Sequence, residues 1–245
     1  MRKIVEQLAK PYKQLVLRFG KRASRIIFGF AVFLILVVLN CFFYFSEAAK
    51  VDDTQIIVVI DPGHGGSDPG KVGVSGVLEK DVNLSISLKL KEKLESQGVK
   101  VVITREIDES LETEGATNKK SSDMKNRVGI INGANADCLI SIHQNSYMDA
   151  SAKGAQVFYY GTSEESCDLA KRIQALLISD VDPENHREVK EGNDYYILRK
   201  STCPGVIIEC GFLSCPEETS KLVDEGYQDK IAEAVTKAVL QKFGK

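Results

Sequence analysis

The chain has 245 residues and a formal net charge of −2, but the charge is unevenly spread. Eight of the first 25 residues are Lys or Arg and one is Glu, the next twenty carry no charge, and the last 200 carry about −9. With 43% hydrophobic and 27% charged residues, 19 Gly and 6 Pro, the chain is neither disordered nor collagen-like. An acidic domain of this kind is no general nucleic-acid binder, because neutralising phosphates needs a cationic surface.

Residues 1–25 form a basic segment, and Ile26 to Phe45 (IIFGFAVFLILVVLNCFFYF) have the length of a bilayer's hydrocarbon core, roughly 30 Å of helix. The excess of Lys and Arg before this run places residues 1–25 in the cytoplasm and the rest of the chain outside. Ser46-Glu47-Ala48 resembles a signal-peptidase triplet. Twenty apolar residues are nevertheless long for a signal-peptide core, so an uncleaved single-pass membrane anchor is expected. Residues 46–55 read as a linker and 56–245 as the exported domain. Cys138, Cys167, Cys203, Cys210 and Cys215 lie in that domain without C-x-x-C or zinc-finger spacing, and are expected to be ordinary small residues.

In the domain, IIVVI (56–60) is a β-branched run suited to a strand buried on both faces, and DPGHGG ends it in a turn. Val82, Ile86, Leu90 and Leu94 recur at i, i+4 through 79–97, predicting an amphipathic helix stopped at Gly98. VKVVIT (99–104) predicts the next strand, 106–121 a solvated loop, and 122–132 a helix. CLISIH (138–143) and AQVFYYG (155–161) predict strands, and Ser163 opens a helix to about Ser179. YYILRK (195–200) reads as an edge strand, VIIE (206–209) as a short buried strand, and Gln228 to Phe243 as a closing helix. This alternation predicts an α/β fold with a mostly parallel central sheet.

The chain has three histidines. His186 lies in a polar loop and reads as surface. His64 follows the first strand, His143 closes CLISIH and Glu209 closes VIIE, so all three meet at the carboxyl edge of a parallel sheet, where ligand sites gather. Glu79, at the start of the first helix, faces the same edge. Two imidazoles and a carboxylate with an open position are the ligand set of a catalytic zinc, which acidifies water and polarises a carbonyl. A second carboxylate can then serve as general base and acid. Spacing alone does not decide which glutamate is ligand and which is base. H-E-x-x-H is absent, which excludes the metalloproteases that depend on it.

VVIDPGHGGSDPG, VLEKDVNL, ADCLISIHQNS and GVIIECGFLS, in this order, resemble the zinc-dependent N-acetylmuramoyl-L-alanine amidases of the amidase_3 family. The similarity runs from about Ile56 to Phe243. It implies a three-layer fold with a six-stranded sheet and helices on both faces. It also implies one Zn²⁺ on His64, Glu79 and His143, with Glu209 as the catalytic glutamate. Arg105 and Arg127 also match positions of the family pattern, and with Asn145 they are expected to contact substrate. The implied reaction cleaves the amide between N-acetylmuramic acid and L-alanine in peptidoglycan. NKKSSDMKNRV (118–128) and GAQVFYYG (154–161) are most similar to the spore-cortex, germination-associated branch, where stem-peptide removal precedes formation of muramic δ-lactam by a deacetylase. That branch implies action from the cell membrane, in the forespore intermembrane space, with room for an activating protein partner. The chain departs from the family at Cys215, where FLSN is usual, which puts the substrate loop in question. The 65 residues between His143 and Glu209 are assigned to ordinary elements, so no self-blocking helix is expected. Competing readings are another zinc hydrolase of peptidoglycan, a peptidase or deacetylase, and a non-catalytic wall-binding protein with the same fold.

Overall fold

The computed structural model describes residues 55–244 and, ahead of them, residues 10, 11, 13, 14, 16–18, 20, 25–30 and 32–40. The chain divides into two units, Met1–Thr54 and Gln55–Lys245. In the first, residues 25–30 and 32–40 are helical and every side chain among them is exposed. Among the described residues, no helix is long and apolar enough to cross a membrane. Ala31 and residues 41–45 of the expected anchor, Cys41, the Ser46-Glu47-Ala48 triplet and the linker to Thr54 lie outside the described residues.

The second unit runs β1 (Ile57–Pro62), α1 (Glu79–Ser96), β2 (Lys100–Ile103), α2 (Lys119–Gly133), β3 (Cys138–Asn145), β4 (Gln156–Tyr159) and α3 (Glu164–Leu176). A π-helical turn (Leu177–Val181) extends α3, and β5 (Lys190–Glu191), α4 (Tyr196–Lys200), β6 (Gly205–Phe212), α5 (Pro216–Leu222) and α6 (Glu225–Phe243) follow. The six strands form one sheet in the order β2-β1-β3-β6-β4-β5. β2, β1, β3 and β6 are mutually parallel; β4 runs antiparallel to β6, and β5 follows β4 in parallel. The sheet is therefore mixed, with a four-stranded parallel half.

Alternation along the strands divides the core in two. Val58, Ile60, Ile140, Ile142, Val206 and Ile208 join a cluster of twenty-eight buried residues with α1, α3 and α6. In it the predicted stripe of α1 is buried completely or nearly so, Val82 at 4% exposure and Ile86, Leu90 and Leu94 at 0%. Val59, Leu139 and Ile207 point the other way, into a cluster of seven with Phe158, Ile131 of α2 and Ile197 and Leu198 of α4. Helices thus cover both faces, one of them thinly.

YYILRK corrects the sequence reading. It is a helical turn, and the edge strand is the two-residue β5. Ile197 and Leu198, adjacent in sequence, are buried in the same cluster, which a strand's alternation forbids and a helical turn permits. α5 was not anticipated, although Pro216 at its start and Glu217 and Glu218 in its first turn are ordinary helix-start signals. Cys215 occupies its N-cap without a side-chain capping bond, the position where the family's usual Asn could accept one. All five domain cysteines are free.

Candidate active site

β1 delivers a sharply turned loop to the carboxyl edge. Gly63 donates its N–H to Ile142 O (3.0 Å). A Cβ at this position would stand 2.2 Å from the His143 ring, so only glycine allows the loop to pass. His64 follows with φ at +62°, a conformation that costs free energy in a non-glycine residue. Two buried arginines hold that backbone. Arg127 donates to Pro62 O (2.8 Å) and His64 O (2.6 Å), and Arg105 to Pro62 O and Gly63 O (both 3.0 Å). The sequence reading places both at the substrate, and Arg127 also lines the cleft that holds His64, Glu79 and His143. Arg105 also donates to the backbone carbonyls of Lys80 and Ile107, whereas Arg127 pairs with Asp61 and Asp123.

Glu79, the first residue of α1, is 2% exposed. Its Oε2 lies 3.2 Å from His64 Nε2 and its Oε1 lies 3.0 Å from His143 Nδ1. The backbone N–H groups of Lys71 (2.8 Å) and Gln144 (3.1 Å) also donate to this carboxylate. Burial alone would raise its pKa, but the two imidazoles outweigh burial and hold the carboxyl far below the usual carboxylate range. Burial likewise opposes charge on His64, whose pKa is nevertheless raised by Glu79 and Asp68. Asp68 Oδ2 lies 2.8 Å from His64 Nδ1, which fixes the ring and leaves Nε2 toward the site.

One donor atom from each of His64, Glu79 and His143 falls within 4.8 Å of the others. Two imidazoles and an ionised carboxylate, with an outer carboxylate orienting one ring, fit zinc by the chemistry of the donor set.

Glu209 is the cross-strand partner of His143 in the β3–β6 ladder. It is 8% exposed, and its Oε2 has no hydrogen-bond partner among the described residues. Burial, seconded by the charge of Glu79, raises its pKa against the opposing pull of His143, His64 and Tyr195. The β3–β6 register shifts between His143 and Asn145, the kind of irregularity that re-aims side chains beside active sites. A cleft of about 630 Å³ joins these groups, lined by His64, Glu79, His143, Asn145, Tyr195 and Glu209 among others. His186 is exposed in its loop.

The family profile for N-acetylmuramoyl-L-alanine amidase matches residues 58–241. The chain belongs to this family. The amidase is 40% identical over 190 residues to the germination-specific N-acetylmuramoyl-L-alanine amidase of Bacillus subtilis, covering 76% of this chain and 79% of that one. It is 30% identical over 197 residues to the sporulation-specific amidase of the same organism, covering 77% and 69%. Among solved structures, the CwlD amidase of Clostridioides difficile, in complex with the GerS lipoprotein, has a TM-score of 0.75 and 42% identity, covering 77% of this chain and 98% of that one. The amidase hydrolyses the bond its family is named for, between N-acetylmuramic acid and L-alanine of peptidoglycan.

Sequence reasoning missed Asp61, Asp68 and Tyr195. Asp61 and Asp68 had a readable signal, as the acids flanking the GHGG turn, while Tyr195 lay in the segment taken for a strand.

Proposed function

We propose that this amidase is a zinc enzyme of the spore cortex, acting from the membrane on the outer side. His64, Glu79 and His143 hold the metal, which supplies Lewis acidity to the scissile carbonyl and to water. Glu209 takes the proton of the attacking water and returns one to the departing alanine nitrogen. The observation that carries this division of roles is the difference between the two glutamates. Glu79 is bound on both oxygens by the two histidines and two backbone N–H groups, whereas Glu209 Oε2 has no partner among the described residues. Asn145, on the cleft wall, contacts substrate, and Arg105 and Arg127 support the reaction by holding the His64 loop.

The germination-specific relative supports the cortex assignment, with the product passing to a deacetylase that closes the δ-lactam. The basic residues 1–25 and the uncharged run 26–45 support a single-pass anchor with residues 56–245 as the catalytic domain outside, in the forespore intermembrane space. CwlD's complex with a lipoprotein supports a protein partner for this chain as well.

Metal content and products on cortex-type peptidoglycan test the reading together. One zinc per chain and free N-terminal L-alanine are expected, with zinc lost in His64→Ala and His143→Ala. Cleavage within the stem peptide, or release of acetate, would replace the amidase by a peptidase or a deacetylase. Full zinc occupancy in both variants would remove the metal site.

A further inference from the structure

Glu209 presents a mechanical problem. A general base must hold one orientation, yet Oε2 has no hydrogen-bond partner among the described residues. The sheet's parity shows which layer can reach it. Ile207 and Glu209 are two residues apart on β6 and share a face, and Ile207 packs with Ile197 and Leu198 of α4. Glu209 therefore projects toward the layer that α4 builds. Tyr195 stands at the N-cap of α4 and lines the same cleft.

The placement of Tyr195 is tightly specified. Its N–H donates to Gly192 O (3.1 Å), and its carbonyl accepts from Arg199 N–H (3.1 Å). Its ring meets Phe158 edge-on, with centroids 5.5 Å apart. A Cβ on Gly192 would stand 2.6 Å from the ring's Cδ2, so the glycine keeps the ring's seat open. Phe158 pairs with Ile207, and Gln156 with Glu209, in the β4–β6 ladder, which ties the tyrosine's support to the strand that carries the glutamate. Burial, then the charge of Glu209, pushes the phenol up to about 12, so the hydroxyl keeps its proton at neutral pH and can donate to a carboxylate that shares its cleft.

From this seating we infer that Tyr195 is a positioning residue for the proposed general base: braced by Phe158 and Gly192, its hydroxyl fixes the Glu209 carboxylate facing the cleft. The inference rests on the role given to Glu209 above. Removing the hydroxyl leaves the ring in place and frees the carboxylate to sample unproductive orientations, which lowers turnover without altering substrate affinity.

The test uses the full-length chain, with turnover normalised to bound zinc so that only folded sites count. Tyr195→Phe is expected to lower kcat on the order of tenfold, with KM, zinc stoichiometry and melting temperature unchanged. In a Glu209→Gln background the same change should lower turnover by less than about twofold, because the group it orients is gone. Tyr195→Phe with wild-type kcat, a change confined to KM, or losses that multiply with those of Glu209→Gln would each overturn the inference. Wild-type turnover in Glu209→Gln would instead overturn the role of Glu209 itself, so the two failures are distinguishable.

Discussion

Asp61 and Glu209 are both buried carboxylates on the parallel half of one sheet, and their surroundings differ in kind. Asp61 accepts from Thr104 (2.7 Å), Ser141 (2.8 Å) and Arg127 (2.8 Å), and its oxygens are fully engaged. Burial would raise its pKa, but the guanidinium beside it and these hydrogen bonds hold it below the usual range. Glu209 has one oxygen without a hydrogen-bond partner among the described residues, and burial raises its pKa. Asp61 is a structural anchor: with Arg127 it secures the turn that presents His64. Glu209 has the spare oxygen that the proposed general base requires. A buried acid with every oxygen paired holds a fold together; one with a spare oxygen at a cleft is available for chemistry.

Three changes sharpen that contrast, the largest effect first. Glu209→Gln keeps the shape and removes the basicity, so turnover should fall about 10²–10⁴-fold while zinc and melting temperature are retained. A Glu209→Gln protein that loses its metal would place that carboxylate among the ligands.

Arg127→Met should act on stability. It leaves Asp61 charged and unpaired at a site where both side chains are 2% exposed, and is expected to cost about 3–5 kcal/mol in denaturant unfolding at neutral pH. The sign of its pH dependence follows from Asp61. A carboxyl held low in the folded state contributes stability above its unfolded pKa of about 4 and loses it as pH falls through the folded value. The gap between wild type and Arg127→Met should therefore narrow in acid. A gap that is constant with pH would mean that Asp61 is not what Arg127 stabilises.

The smallest effect is expected from deleting residues 1–49. The remaining chain should fold and turn over at the wild-type rate, as measured by melting and product release, since the second unit contains the cleft and both core clusters.

The site's principal groups were legible because each ends a run with an unmistakable period. IIVVI and CLISIH read as strands whose ends must meet at one edge, and the i, i+4 stripe of 79–97 fixed where Glu79 starts its helix. The hold of Arg105 and Arg127 on the carbonyls of Pro62, Gly63 and His64 was not legible, because a guanidinium's direction depends on nearby backbone carbonyls that sequence spacing does not reveal. Tyr195 was hidden for a different reason. Its segment is rich in aromatic and β-branched residues, and only tertiary packing of Ile197 beside Leu198 makes it a helical turn. Likewise β5, at two residues, is too short for any pattern to register.

The unequal division of the core also affects how the molecule opens. By strand parity His143 and Glu209 sit on the face of the seven-residue cluster, while the twenty-eight-residue cluster fills the opposite face. Resistance to local opening follows buried apolar contact, so α4 should open at a lower free energy than α1 or α6. Native-state hydrogen exchange would then see the catalytic wall loosen while the opposite layer stays protected. The amidase thus concentrates its buried apolar contact on the face opposite His143 and Glu209, and leaves the face that carries them the lighter of the two.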